Sequence, residues 1–323
     1  MGRRARRRIE HIFLVDDAST DSTAQIARDT AASEGKTENL TVLNGQPLPE
    51  GWSGKVWAMQ QGVERARTLN PKFLLFTDAD IIHEPNSIST LAAIAEAGHY
   101  DLASYMVRLH CETLAERFLV PAFVFFFFKL YPPQWIANPQ RRTAGAAGGC
   151  ILLRPEALDR FGGLAAIRNE IIDDCALAQK VKHCGGRLWL GLTNSAKSIR
   201  AYRSLGEIGQ MISRTAFNQL NHSAVLLFLS LLGLAMTYLL PPLLLFSHDW
   251  PARVLGATAW LAMTVAYLPM IRFYKSNRLW AMVLPLIALF YIAATLHSAL
   301  QFWAGRGGEW KGRVQDLRQS ERA

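Results

Sequence analysis

Three pairs of carboxylates punctuate the first two thirds of the chain: Asp16-Asp17, Asp78 with Asp80, and Asp173-Asp174. Asp78 and Asp80 close the apolar run Phe73-Leu74-Leu75-Phe76-Thr77, which reads as a buried strand of a parallel sheet. Open α/β sheets bind ligands at the carboxyl ends of such strands. Two acids one residue apart can hold a hard divalent cation, Mg or Mn, that keeps open positions for phosphate oxygens. Asp also ends strands simply by favouring turns, so this pair alone does not decide between metal and turn. Doubled acids before a helix have a similar plain reading, because helix N-termini favour anions.

The elements that must position these acids follow an α/β rhythm. Ile12-Phe13-Leu14-Val15 is a short strand pattern ending at Asp16-Asp17, and a helix is predicted from about Ala24 to Ala32. Leu40-Thr41-Val42-Leu43 is a second strand, and Asn44 to Gly54 is a Gly/Pro loop carrying Trp52. Lys55 opens a helix through Arg67, and another follows Pro85. Gly145-Ala146-Ala147-Gly148-Gly149-Cys150 leads into the strand Ile151-Leu152-Leu153, where small residues permit close approach of backbone or ligand. Cys175 to His183 is helical, Leu188 to Leu192 is a last strand, and Ser204 to Gln219 is an amphipathic helix. The expectation is a doubly wound α/β domain over residues 1–222.

The second part of the chain differs in composition. Half of the 323 residues are hydrophobic and only 19% are charged, a mixture that fits a polar domain joined to a membrane part. Three long apolar segments, about Ala224 to Phe246, Val254 to Ile271 and Leu279 to Trp303, approach or exceed the length that spans hydrocarbon, so 223–303 is expected to be helical and membrane-embedded. Phe118 to Phe128 is apolar all round but too short to cross, and is expected to lie in the membrane interface or against the sheet. The net charge of +9 concentrates in an arginine cluster at residues 3–8 and in a basic tail over 304–323. Beside apolar spans such clusters favour anionic lipid over nucleic acid, for which interleaved aromatics and a binding motif are missing. Arg272, Lys275 and Arg278 place their loop in the cytoplasm, giving a multi-pass inner-membrane protein with a cytoplasmic domain. Three crossings would export the basic tail, which makes the Pro241-Pro242 break a candidate re-entrant point. Four cysteines without a C-x-x-C pair fit reduced thiols.

If the three acidic sites share one cleft, they can hold a nucleotide, hold a metal and accept a proton. That is a glycosyl-transfer constellation. A cation at Asp80, with Asp78 on metal or ribose, would neutralise a departing diphosphate. Asp174 could take a proton from the acceptor hydroxyl, and Lys55 could meet phosphate as a point charge.

The strings LVDDASTDST, GWSGKVWA, LLFTDAD, GAAGGCILLRPEAL, IIDDCALAQKVKHCGG and SRTAFNQL, in this order and ahead of apolar segments, resemble the family 2 glycosyltransferases. More narrowly they resemble the bacterial hopanoid-biosynthesis-associated branch, related to ceramide glucosyltransferases. The resemblance implies a GT-A fold, a nucleotide-diphosphate sugar donor, a lipid acceptor, a divalent metal and an inverting displacement. It places Asp16 and Asp17 against the nucleotide, Asp78 and Asp80 as the D-x-D pair, and Asp174 as the base, with Asp173 replacing the usual Glu. A polyprenyl-phosphate or ceramide-like acceptor is the alternative within the same chemistry. Arg214 stands where processive members carry Q-x-x-R-W, but Gln and Trp are absent, which argues against polymer synthesis. Family members also place a strand before the one ending at Asp16-Asp17, where this chain has arginines. A domain lacking its usual first strand is therefore expected, with weak turnover or a scaffold role as the consequence.

Overall fold

A computed structural model describes residues 9–305 together with the backbone of the short strands Glu309–Trp310 and Arg313–Val314. The arginine cluster at residues 3–8 and the basic tail lie outside the described residues, apart from that backbone. The chain forms two compact units. One comprises residues 1–108 and 131–198, the other residues 109–130 and 199–323. The division does not follow sequence position alone, as the expected 1–222 and 223–303 domains did: the stretch 109–130, and the chain from 199, belong to the second unit.

In chain order the first unit contains β1 (Ile12–Asp16), α1 (Thr23–Ser33), β2 (Leu40–Asn44), α2 (Gly54–Arg67), β3 (Leu74–Thr77), β4 (Ile81–His83), α3 (Ser87–Ala97) and β5 (Leu102–Arg108). After α4 (Leu114–Leu130), which belongs to the second unit, it resumes with α5 (Pro133–Ala137), β6 (Cys150–Leu153), α6 (Pro155–Asp159), α7 (Asp173–His183) and β7 (Leu188–Ser198). β1 and β2 pair in parallel as a two-stranded sheet, and the others form a five-stranded sheet in the order β3-β6-β5-β7-β4.

That larger sheet is mixed, not parallel as the sequence pattern predicts. β6 runs antiparallel to both β3 and β5, β4 runs antiparallel to β7, and only β5 with β7 is a parallel pair. The reason lies in β6, whose four residues are all buried between two neighbours. Burial on both faces produces the same apolar run in either direction, so periodicity cannot report orientation. β4 and β5 have no counterpart in the sequence reading, and β7 continues six residues beyond Leu192. Leu102, Ala103, Ile151, Leu153, Leu188 and Leu190 pack the sheet interior at 3% exposure or less, and α3 covers it through Leu91 and Ala95.

The second unit joins α4 to α8 (Leu205–Ala216), α9 (Ala224–Leu234), α10 (Leu240–Leu244), α11 (Trp250–Phe273) and α12 (Leu284–Trp303). Among the described residues, three helices are long and apolar enough to cross a membrane: Ala224–Leu244, Trp250–Phe273 and Arg278–Trp303. The first stays helical through Pro241-Pro242. A π-turn over Ala235–Leu239 precedes the prolines and takes up the missing amide donors, as expected where the i to i−4 ladder is interrupted. α4 packs within the second unit. It packs against α8, α11 and α12, with the ring of Phe125 5.1 Å from Tyr267 and that of Phe126 4.8 Å from Tyr291. A helix apolar on every side needs cover on several sides, and these three helices supply it.

The N-terminal end of α4 is fixed by a carboxylate. Glu116 is fully buried and accepts hydrogen bonds from His110 Nδ1 at 2.8 Å, from the amides of Glu112 and Thr113 at 2.9 Å, and from the amide of Tyr202 at 2.7 Å. Burial alone would raise its pKa, but these donors outweigh it and hold the group near 2. With the folded value depressed, the stabilisation is present above the ordinary glutamate value and is lost as pH falls towards 2. Glu116→Gln is expected to cost about 3 kcal/mol, because an amide turns donors towards donors. Thermal unfolding in detergent checks this: the midpoint should drop at neutral pH, and the difference from wild type should shrink as pH falls below 4.

Candidate functional site

The loops at the ends of β3 and β6 and the first turns of α2 and α7 meet around one ammonium group. Ser53 caps α2, its hydroxyl accepting from the Val56 amide at 3.4 Å, and this sets Lys55 in the first helical turn. Lys55 Nζ lies 3.4 Å from Asp78 Oδ1 and 3.2 Å from Asp173 Oδ2. One cation thus joins the acid after β3 to the acid at the start of α7. Burial pulls the lysine pKa down, but the charges of Asp173, Asp78 and Asp174 more than reverse this and leave the group firmly protonated.

Asp174 faces the Gly-rich loop. Its Oδ2 accepts the Gly148 amide at 2.7 Å and its Oδ1 the Cys175 amide at 2.7 Å. Desolvation, and then the neighbouring charge of Asp173, push its pKa up to about 6, partly offset by Lys55. Gly148 has a steric reason to be glycine: a Cβ there would lie 3.2 Å from both Asp174 Oδ2 and Lys55 Nζ. The loop is pinned from the sheet by fully buried Ser104, which donates to the Ala147 carbonyl at 3.1 Å and accepts the Ala147 amide at 2.9 Å.

Asp78 has its pKa raised by burial first, with Lys55 lowering it and Asp80 raising it further. Asp80 Oδ2 accepts from Ser198 Oγ at 2.7 Å, a contact made by the β4–β7 pairing that sets Ile81 opposite Ser198. Ser198 is a site residue that the motif reading passes over. It stands on β7 beyond Leu192, where buried Ala196 and Ser198 alternate with exposed Lys197. His83 Nε2 is hydrogen-bonded with Thr77 Oγ1 at 2.9 Å.

The other expected residues divide. Asp16 organises its own turn, Oδ1 accepting the Ser19 amide at 3.0 Å and its carbonyl the amides of Ala18 and Gly45. It does not cap α1, whose N-cap is Ser22. Asp17 is half-buried beside it. Asp173 and Asp174 do occupy the first turn of α7, where the helix dipole favours them. Trp52 stands edge-on to Trp57 at 5.1 Å, and Trp57 Nε1 donates to the Gln46 carbonyl. Arg214 is on α8, in the second unit.

Residues 4–162 match the family model described as Glycosyl transferase family 2. It takes in just under half of the chain. The match takes in Asp16, Asp17, Lys55, Asp78, Asp80 and Gly148 and ends before Asp173. Among solved structures, the chain is similar to S. aureus TarS at 16% identity and a TM-score of 0.39, over 90% of this chain and 48% of that one. The chain thus spans about half the length of that TarS structure. It is also similar to S. aureus TarS 1-349 in complex with UDP-GlcNAc, at 16% identity and a TM-score of 0.39, over 95% of this chain and 87% of that one.

Among the described residues, no group of three or more His, Cys, Asp and Glu side chains is arranged to hold a metal ion. Asp78 and Asp80 still suit a small hard cation that takes one or two carboxylates and completes its shell from substrate phosphates and water. At the acidic loop after β1, a Cβ on Gly45 would fall 2.8 Å from the Asp16 carbonyl oxygen and 3.2 Å from Asp17 Cα, both backbone atoms. Gly45→Ala is therefore expected to move that loop at a cost of about 1–3 kcal/mol. A lowered thermal midpoint, with faster proteolysis between residues 16 and 22, is the readout.

Proposed function

We propose that the chain is a membrane-bound, inverting glycosyltransferase with a GT-A-like catalytic domain on the cytoplasmic side. It would move a sugar from a nucleotide-diphosphate donor to a lipid acceptor, in hopanoid-linked lipid metabolism. The observation that carries this reading is the bridging of Asp78 and Asp173 by Lys55, which brings the D-x-D acids and the second acid pair to one place. The family match supports the reaction class, and the three apolar helices support a bilayer and an acceptor drawn from it.

Each residue then has a task. Lys55, a compact and permanently charged donor in this setting, draws the diphosphate and balances the charge that develops as it leaves. A divalent metal held by Asp78 and Asp80, when bound, adds electrostatic stabilisation of the same diphosphate. Asp16 and Asp17 line the loop assigned to the nucleotide, and Trp52 lies in the loop leading to Lys55. Asp174 removes the proton from the acceptor hydroxyl as the hydroxyl oxygen bonds to the anomeric carbon and the diphosphate departs. Its two amide bonds fix the carboxylate without using all of its lone pairs. A base with a pKa near 6 is ionised at neutral pH and still basic enough to share a proton in the transition state.

Two outcomes are expected with purified protein, labelled nucleotide sugars and bacterial lipid extract. Asp174→Asn should lower transfer by about 10²–10⁴-fold while donor binding persists. Transfer by wild type should rise with pH through an apparent value near 6 as Asp174 ionises. No lipid-linked product from any donor, or equal transfer by Asp174→Asn, would contradict the assignment.

A further inference from the structure

Lys55 sits where its own helix opposes it. It is in the first turn of α2, close to the positive end of the helix dipole, and that turn contains no acidic residue to offset the charge. What holds the ammonium there is the opposite face of the cleft: Asp78 from the end of β3 and Asp173 from α7. Asp78 is one of the two carboxylates that would take a divalent cation, and its Oδ1 is already turned towards Lys55. A divalent cation arriving on that carboxylate would meet the ammonium charge a few ångströms away, and like charges at that separation repel.

We propose that Lys55 is the site's resident counter-cation, occupying the Asp78 carboxylate while the donor is absent and yielding it to a divalent cation only when a diphosphate arrives to receive the ammonium. The inference rests on the nucleotide-sugar reading above. It makes Lys55 a determinant of the order of binding: metal and diphosphate enter together, and a donor-free site resists metal. Gly148 places no side chain beside Lys55 Nζ and Asp174 Oδ2, where a Cβ would lie 3.2 Å from each. Asp173, released when Lys55 yields, keeps its place in the first turn of α7, where the helix dipole supports its charge.

The test uses the full chain in detergent and Mn²⁺ alone, followed by electron paramagnetic resonance of the free ion. Lys55→Met should bind Mn²⁺ about tenfold more tightly than wild type, with Lys55→Gln behaving alike and Lys55→Arg staying close to wild type. Lys55→Met combined with Asp78→Asn should lose the gain, which assigns it to the carboxylate and not to a general change in charge. Thermal midpoints identify the folded variants. Equal or weaker Mn²⁺ binding by folded Lys55→Met and Lys55→Gln overturns the proposal, as does a gain that survives Asp78→Asn. Because no nucleotide or acceptor is present, a wild type that never transfers sugar would defeat the functional reading separately, without altering this result.

Discussion

The interaction on which the candidate site depends is the ion pairing of one lysine with carboxylates from two distant parts of the chain. Lys55 reaches Asp78 and Asp173, and Asp174 beside them reaches the backbone of the Gly-rich loop. Remove the lysine, and several acids share a half-buried cleft with no cation among them, an arrangement that costs several kcal/mol unless protons or metal ions compensate. With it in place, the acids stay together and the cleft can receive a negatively charged ligand. A fixed cation set among carboxylates is suited to a diphosphate, whose charge can take over part of the pairing.

The surrounding fold explains why the acids converge. β3 delivers Asp78 at a strand end, β4 turns back at once to set Asp80 against Ser198 on β7, and β6 starts beside them from a loop of small residues. Each device uses the backbone to fix a carboxylate: a strand pairing for Asp80, loop amides for Asp174, a helix start for Asp173. None depends on a long flexible side chain except Lys55 itself. That asymmetry suits a site in which the acids are scaffold and the lysine is the moving part.

Much of this was legible in the residues. The helix starts at Thr23, Gly54 and Ser87, the strand before Asp78 and the apolar spans all follow from caps, periodicity and length. The direction of β6 was not, because a strand buried on both faces looks the same either way. β4 is three residues long, too short to show a period, so the anchoring of Asp80 by Ser198 is a product of tertiary pairing alone. The place of α4 was hidden for a related reason: a sequence apolar on every side states that it must be covered, but not by what. The pairing of Lys55 with Asp78 and Asp173 was half visible. The motif marked the lysine as a phosphate partner, yet only the meeting of α2, β3 and α7 shows which acids it serves first.

The central claim is that a single cation is shared between the two acid sites. A double-mutant cycle on Asp78→Asn and Asp173→Asn, read as thermal stability without donor or metal, tests it most directly. Each single change leaves Lys55 one carboxylate partner, whereas the double change leaves a half-buried ammonium with neither. The account predicts that the double variant loses more than the sum of the singles, by about 1 kcal/mol or more. Strict additivity would show that the two acids do not share Lys55, and would contradict the account.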